Sequence, residues 1–405
     1  MLTFNDSGMN VSALSSQDFR RYLLGNIFGL NANWILRLLL GWIAWDLTQS
    51  PAFVGIISFL NFSPVLIGGP IFGVIVDRSD VRRAALLVQA LIGTLSITLL
   101  MLLALDALTP VLLAIYAGAL GTVLAAYQPV RLSLGPRLVE KAQVSSVVSL
   151  GAMNFNLSRL TGPAIGGILI ASVGETLTVA FVCLLQVPFI FMLSRLHPRE
   201  QIRTTEIQPF FQSFRAGIRF IALNRSIWIS FVVVGLFSVI IRGVLEILPI
   251  LADGVYQRGP AGLGAMAASV GGGALLASVL QVILPIAKEG TVPLRGLMSA
   301  FAGAVMFTLA GVFQNWTLAL FLIAGIGFCS AMVGINFQTS VQMQLDDDIR
   351  GRVMSLWMTL AVGGTSVGAL VMGAMAGWIG LPMTLSIIGS VAVVIFTLLL
   401  PRLRS

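Results

Sequence analysis

A chain of 405 residues that is 57% hydrophobic and only 10% charged, with a mean hydropathy of +0.96, is not a soluble domain, because it lacks the polar surface to cover itself. Its formal charge of +8 would suit nucleic acid in a soluble protein, but the basic residues fall in a pattern that gives them a topological meaning instead. No Gly-x-x-x-x-Gly-Lys-Ser/Thr run occurs, and neither Lys141 nor Lys288 follows a glycine-rich loop, so ATP is not expected to drive whatever this chain does.

Apolar runs of the ~20 residues needed to cross hydrocarbon recur along the whole sequence. In chain order the predicted spans are 20–46, 51–76, 84–105, 109–131, 142–172 and 175–196, then 226–251, 260–287, 292–313, 316–340, 352–378 and 381–401. The first residues, up to Asp18, are polar and lack the basic, apolar and small segments of a cleaved signal, so the first span is expected to stay. With both termini inside, every Lys and Arg except Arg37, Arg159, Arg242 and Arg258 falls at the ends or in the loops on one side. The opposite loops hold Arg258 beside Asp46, Asp106, Glu175 and Asp253. This is the positive-inside bias, and it predicts a multi-pass protein of the cell inner membrane with cytoplasmic termini and no nucleic-acid partner. Cys183 and Cys329 both lie within spans, which excludes a disulfide framework, and no metal-ligand cluster or cofactor motif occurs.

The most informative short stretch lies between spans 2 and 3, Gly73-Val74-Ile75-Val76-Asp77-Arg78-Ser79-Asp80-Val81-Arg82-Arg83. Gly73 permits close helix approach, and Asp77 can cap a neighbouring helix or pair with an arginine. Arg78, Arg82 and Arg83 hold the loop in the cytosol. The stretch resembles the loop 2–3 signature of the major facilitator superfamily of secondary transporters. Ser79-Asp80-Val81 stands where the commoner form has a glycine. The resemblance implies an all-α membrane protein of twelve transmembrane helices in two pseudo-symmetric six-helix bundles, with this loop as a conformational latch.

The residues themselves point to a duplication. The longest polar stretch, 197–225, separates halves 1–196 and 226–405, and features recur across it at an offset of roughly 205 to 212 residues. Pro51 and Gly55 match Pro260 and Gly264; Arg37 matches Arg242; Arg83 matches Arg295; Gly162, Gly167 and Gly174 match Gly368, Gly373 and Gly380. Parallel halves of this kind imply alternating access around a site near the midplane. Within the linker, Phe210, Phe211, Phe214, Ile218 and Ile221 share a helical face, which predicts an amphipathic helix on the inner membrane surface.

Four ionisable residues remain at depth, Arg37, Arg159, Arg242 and Glu246, and a charge at mid-span costs roughly 2.5–3.5 kcal/mol on insertion scales. Arg37 shares a face with Asn26 and Asn33, with Trp34 alongside; Asn154 and Arg159 lie in span 5, and Asn336 and Gln338 in span 10. These ten residues form the expected substrate cavity. Glu246, one helical turn beyond Arg242, is placed to pair with it at i, i+4. Glu246 is the first candidate for carrying a proton and Asp46 the second. Gly162, Pro163, Gly166 and Gly167 resemble the Gly-Pro signature of antiporter branches, in which the proline bends the helix as a hinge.

Arg131–Val139 and Arg350–Ser355 resemble the enterobactin-exporter and macrolide-efflux branch. That resemblance implies a proton-driven exporter, expected here to act as a monomer on an amphipathic or anionic small molecule such as a siderophore or drug. A lysophospholipid transporter and an importer of a small polar solute are the competing expectations. Paired carboxylates and nucleophile–base sets are absent at depth, so an enzyme is not expected.

Overall fold

The computed structural model describes residues 12–199, 210–283 and 292–402. They form α1 (Gln17–Thr48), α2 (Pro51–Arg78), α3 (Val81–Ala104), α4 (Pro110–Leu134) and α5 (Val144–Ser194). After the linker come α6 (Phe210–Leu223), α7 (Arg225–Ile240), α8 (Gly259–Ile283), α9 (Leu294–Val312), α10 (Trp316–Met343), α11 (Asp347–Ile379) and α12 (Leu381–Arg402). No strand occurs among the described residues. The helices start where the sequence supplies an N-cap. Ser16 accepts from the Phe19 amide, Ser50 and Thr109 cap helices whose first residue is proline, and Asn224 and Asn315 cap α7 and α10.

Most elements are long enough to cross a bilayer singly. At 51 residues α5 would run about 77 Å, more than twice the hydrocarbon thickness. It breaks at Gly174, whose φ of 81° and ψ of 177° suit only glycine, and so makes two spans that meet in a corner. The matching Gly380 takes φ 80° at the corner between α11 and α12. Among the described residues nine helices are long and apolar enough to cross, and the bent pair α6–α7 makes a tenth. Dividing α5 at Gly174 and counting α2, apolar over Pro51–Val65, brings the total to twelve crossings.

The span predicted over 226–251 is broken. Regular α-helix ends at Ile240; Arg242–Glu246 follow as a 3-10 turn and Ile250–Val255 as a π turn. Gly243 presses against the backbone of α11, where a Cβ would lie 2.6 Å from the Gly368 carbonyl carbon, and Pro249 has no N–H to continue the ladder. The linker helix α6 meets α7 at 106°, which sets it across the span direction, and Gly217 packs it against Leu356 of α11.

The first five helices pack on one another, chiefly α1 on α5 and α2 on α4; the last six do likewise, chiefly α8 on α10 and α9 on α12. The two sets meet along α2–α11 and α5–α8. Glycines make these seams possible. A Cβ on Gly373 would sit 2.6 Å from the Pro51 carbonyl oxygen and 3.0 Å from the Gly55 Cα; one on Gly167 would sit 2.3 Å from the Gly264 Cα and 3.1 Å from the Pro260 carbonyl oxygen. The repeated Pro-x-x-x-Gly and the repeated glycines of the sequence thus pair crosswise, once on each side of the pseudo-twofold axis. Both seams lie toward the end of the bundle away from the chain termini, here called the distal end.

Candidate functional site

Where the two sets of helices meet, Arg37 of α1 reaches across to Glu246, in the 3-10 turn beyond α7. The guanidinium grips the carboxylate twice: Nε donates to Oε2 at 3.3 Å and a terminal nitrogen donates to Oε1. The Glu246 side chain is only 7% exposed and Arg37 33%, so the pair is largely withdrawn from solvent. Two aromatic faces flank the guanidinium, Trp34 at 4.9 Å and Phe62 of α2 at 4.5 Å. Ser58 of α2 donates to the Glu246 backbone carbonyl at 3.3 Å, a second bond across the same gap. Nearer the distal end, Trp45 Nε1 donates to Asp253 at 2.9 Å, again between the two sets.

The expected i, i+4 pair of Arg242 and Glu246 does not form. In a 3-10 turn three residues complete a revolution, so a side chain four positions on is rotated away. Glu246 therefore faces α1. Arg242 and Arg159 remain within electrostatic range of the pair, giving three arginines to one glutamate at the junction.

The remaining predicted residues divide. Trp34 stands edge-on to Phe155 at 5.7 Å and packs over Gly162. Asn154 lies beside it on α5, buried and accepting from Ser158 at 3.4 Å. Asn33 is half-buried with an enclosed, unpartnered Oδ1. Asn26 faces the interior of the first bundle, where it donates to the Tyr22 hydroxyl at 2.9 Å. Asn336 is also interior, donating to the Met332 carbonyl of its own helix, while Gln338 is half-buried on α10. Asp46 is exposed at the distal end of α1.

Pro163 does not break α5. The only non-helical dihedrals within that helix are at Gly174, and Gly162, Gly166 and Gly167 serve close packing instead, the first two on α1 and the third on α8. In the loop between α2 and α3, the side chains of Gly73, Asp77 and Arg78 fall outside the described set. Asp80 is the residue that caps α3, accepting from the amides of Arg82 at 2.9 Å and Arg83 at 3.2 Å. The Arg82 guanidinium donates to the Ser194 carbonyl and so ties α3 to the end of α5.

Four contributors were missed by sequence reasoning. Ser58 and Phe62 look like ordinary span residues in an apolar helix, and Asp253 reads as loop. Asn31 bonds Ser158 at 3.2 Å and accepts from Thr161 at 2.7 Å. Its signal was present: a polar residue within two turns of Arg37 on a helix that faces small residues.

Twelve crossings in two mutually packed sets, joined by glycine seams toward the distal end and carrying charge withdrawn from solvent where they meet, are the architecture of a secondary transporter. A family model described as "Transmembrane secretion effector" matches residues 9–405, and the chain belongs to that family of the major facilitator superfamily. It is 26% identical over 376 residues to the staphyloferrin A transporter of Staphylococcus aureus, covering 88% of this chain and 89% of that one. It is 27% identical over 336 residues to the enterobactin exporter EntS of Shigella boydii, covering 81% and 77%. Among solved structures it resembles a bacterial homolog of the human lysosomal transporter Spinster, captured inward-facing and unoccupied. The TM-score there is 0.71 at 15% identity, with 94% of this chain and 95% of that one covered. It also resembles the nucleoside transporter NupG, with a TM-score of 0.69 at 13% identity over 95% and 98%. The chain is a multi-pass small-molecule transporter, not an enzyme.

Proposed function

We propose that this protein is a proton-coupled exporter, working by alternating access, of an amphipathic anionic small molecule of the siderophore class. The observation that carries this reading is the junction between the halves, where Arg37 grips Glu246 between aromatic faces and Arg159 and Arg242 lie within electrostatic range of that pair. Such a set leaves positive charge to be matched by a substrate and apolar wall for the rest of it. The names of the two relatives, both carriers of siderophores, support the class, and the exporter among them supports the direction.

In this reading residues 1–196 and 226–405 rock about the midplane, with 197–225 as cytoplasmic linker. The termini and the loop latch of Gly73, Asp77, Arg78, Arg82 and Arg83 lie in the cytosol, and the distal end faces outward. The glycine seams then hold the outer side shut while the inner side loads. An anionic substrate that takes the Arg37 guanidinium deprives Glu246 of its cation, and protonation is the way a buried carboxylate without one is neutralised. Reconstitution tests the proposal. In inside-out vesicles, an acid-inside gradient should drive accumulation of an anionic siderophore; uptake that ignores the gradient, or that is equally fast for neutral solutes, would count against it.

A further inference from the structure

Away from the Arg37–Glu246 contact, polar side chains from four helices converge inside the first bundle: Tyr22 and Asn26 of α1, Gln89 of α3, Tyr127 of α4 and Gln186 of α5. Gln89 and Gln186 are each 1% exposed and Asn26 3%. Gln89 Nε2 donates to Gln186 Oε1, and Asn26 Nδ2 donates to the Tyr22 hydroxyl at 2.9 Å. These bonds leave Asn26 Oδ1, Gln89 Oε1, Gln186 Nε2 and the Tyr127 hydroxyl enclosed and unpartnered. Turning both glutamine amides over changes which atoms are named but not the balance. A singly bonded amide pair always retains one unused carbonyl and one unused NH₂.

Tyr22, Gln89 and Tyr127 also line a narrow cavity, with Phe189 on its wall and Arg131 beside it. Its size admits one water molecule, and the groups around it suit one. Gln89 offers whichever amide group its bond to Gln186 leaves unused; the Tyr22 hydroxyl, already accepting from Asn26, has its hydrogen to give; the Tyr127 hydroxyl does either.

The second half of the chain shows that the bundle does not need these residues in order to pack. At the repeat offsets the matching positions are Ile227, Phe231, Phe301, Val333 and Ala392, all apolar, and all but Phe301 buried. At these five positions the same architecture is apolar in one half and polar in the other, while the polar residues that the second half does bury, such as Ser330 and Asn336, stand elsewhere on its helices. Hydrogen-bonding glue common to both bundles therefore does not account for the cluster.

We propose that the first bundle holds a resident-water site, formed by Gln89, Tyr22 and Tyr127 beside Arg131, that the second bundle lacks. The water connects Arg131, near the terminal-side end of α4, through Tyr22 and Asn26 to α1, the helix that carries Arg37. Nothing in this inference depends on the substrate or on the direction of transport.

Hydroxyl-radical footprinting by microsecond X-ray pulses, read by mass spectrometry on the protein in lipid nanodiscs, tests it. A bound water generates the radical in place, so Tyr22 and Tyr127 should be labelled although both are buried, while the equally buried Phe231 of the second half should not. In Gln89→Leu/Gln186→Leu, labelling at both tyrosines should fall severalfold, with labelling of the exposed Trp228 and Trp378 unchanged. If that double variant does not fold, Tyr127→Phe serves in its place, and labelling at Tyr22 should fall. Unlabelled tyrosines in the unmodified protein, or labelling that survives the substitutions, would overturn the site.

Discussion

The Arg37–Glu246 bridge joins the two halves, so its removal should change the balance between conformations as well as stability. The bonds that Arg37 makes to Glu246 are charge-assisted, of a kind worth about 1.5–3 kcal/mol each. Because Arg37 is one-third exposed, water recovers part of that when the partner goes, which leaves about 1.5–2 kcal/mol as the net loss. Since 1.4 kcal/mol is tenfold, Glu246→Gln should shift the population away from the state in which the bridge and the distal seams are formed by about 10- to 30-fold. A cysteine at position 52 reports on this, because Ala52 lies against Gly377 across the α2–α11 seam. In a background with Cys183 and Cys329 replaced, Ala52→Cys should react with an impermeant maleimide from the distal side about 10 to 30 times faster when Glu246→Gln is present. Arg37→Gln should act in the same direction, and the double variant should add little, since both remove one interaction. Reaction rates that stay within twofold in both single variants would mean that the bridge does not bias the distal seam.

The glycine seams give a second test. Gly167→Val or Gly373→Val drives side-chain atoms into the backbone of α8 or α2, so each should abolish transport and leave the distal end open to the same maleimide, whereas Gly118→Ala, where a Cβ meets nothing within 4 Å, should be silent. Arg37→Gln and Arg242→Gln should each weaken binding of an anionic substrate by about 1.5–3 kcal/mol, roughly 10- to 150-fold, with little change for a neutral one, as read by calorimetry on purified protein. Asp77→Asn should lower the transport rate without lowering membrane insertion, compared at matched expression in vesicles.

Features that depend on composition and periodicity were legible in the sequence. The twelve apolar runs, the break near Gly174 and the repeat all follow from hydropathy and from glycines that only certain backbone positions require. The crosswise pairing of Gly55 with Gly373 and of Gly167 with Gly264 was half-visible: the offset showed that these positions match, and only packing shows that they touch. The partner of Glu246 was not legible. Its pairing with Arg242 presumed a continuous helix, and the 3-10 turn that redirects it toward Arg37 arises from Gly243 wedged on α11, a tertiary contact without local signature. The same limit applies to Asn26. Its spacing from Asn33 and Arg37 places all three on one face, yet that face turns inward at its terminal-side end and outward to the junction further along.

In the function proposed above, positive charge at the junction of the halves selects an anionic substrate for proton-driven export. The most direct measurement is uptake of a labelled anionic siderophore into inside-out proteoliposomes under an acid-inside gradient, comparing the unmodified protein with Arg37→Gln/Arg242→Gln. Uptake should be concentrative, abolished by a protonophore and lost in the double variant, while exchange of a neutral solute, where measurable, persists. Concentrative uptake retained by the double variant, or uptake insensitive to the gradient, would contradict that function.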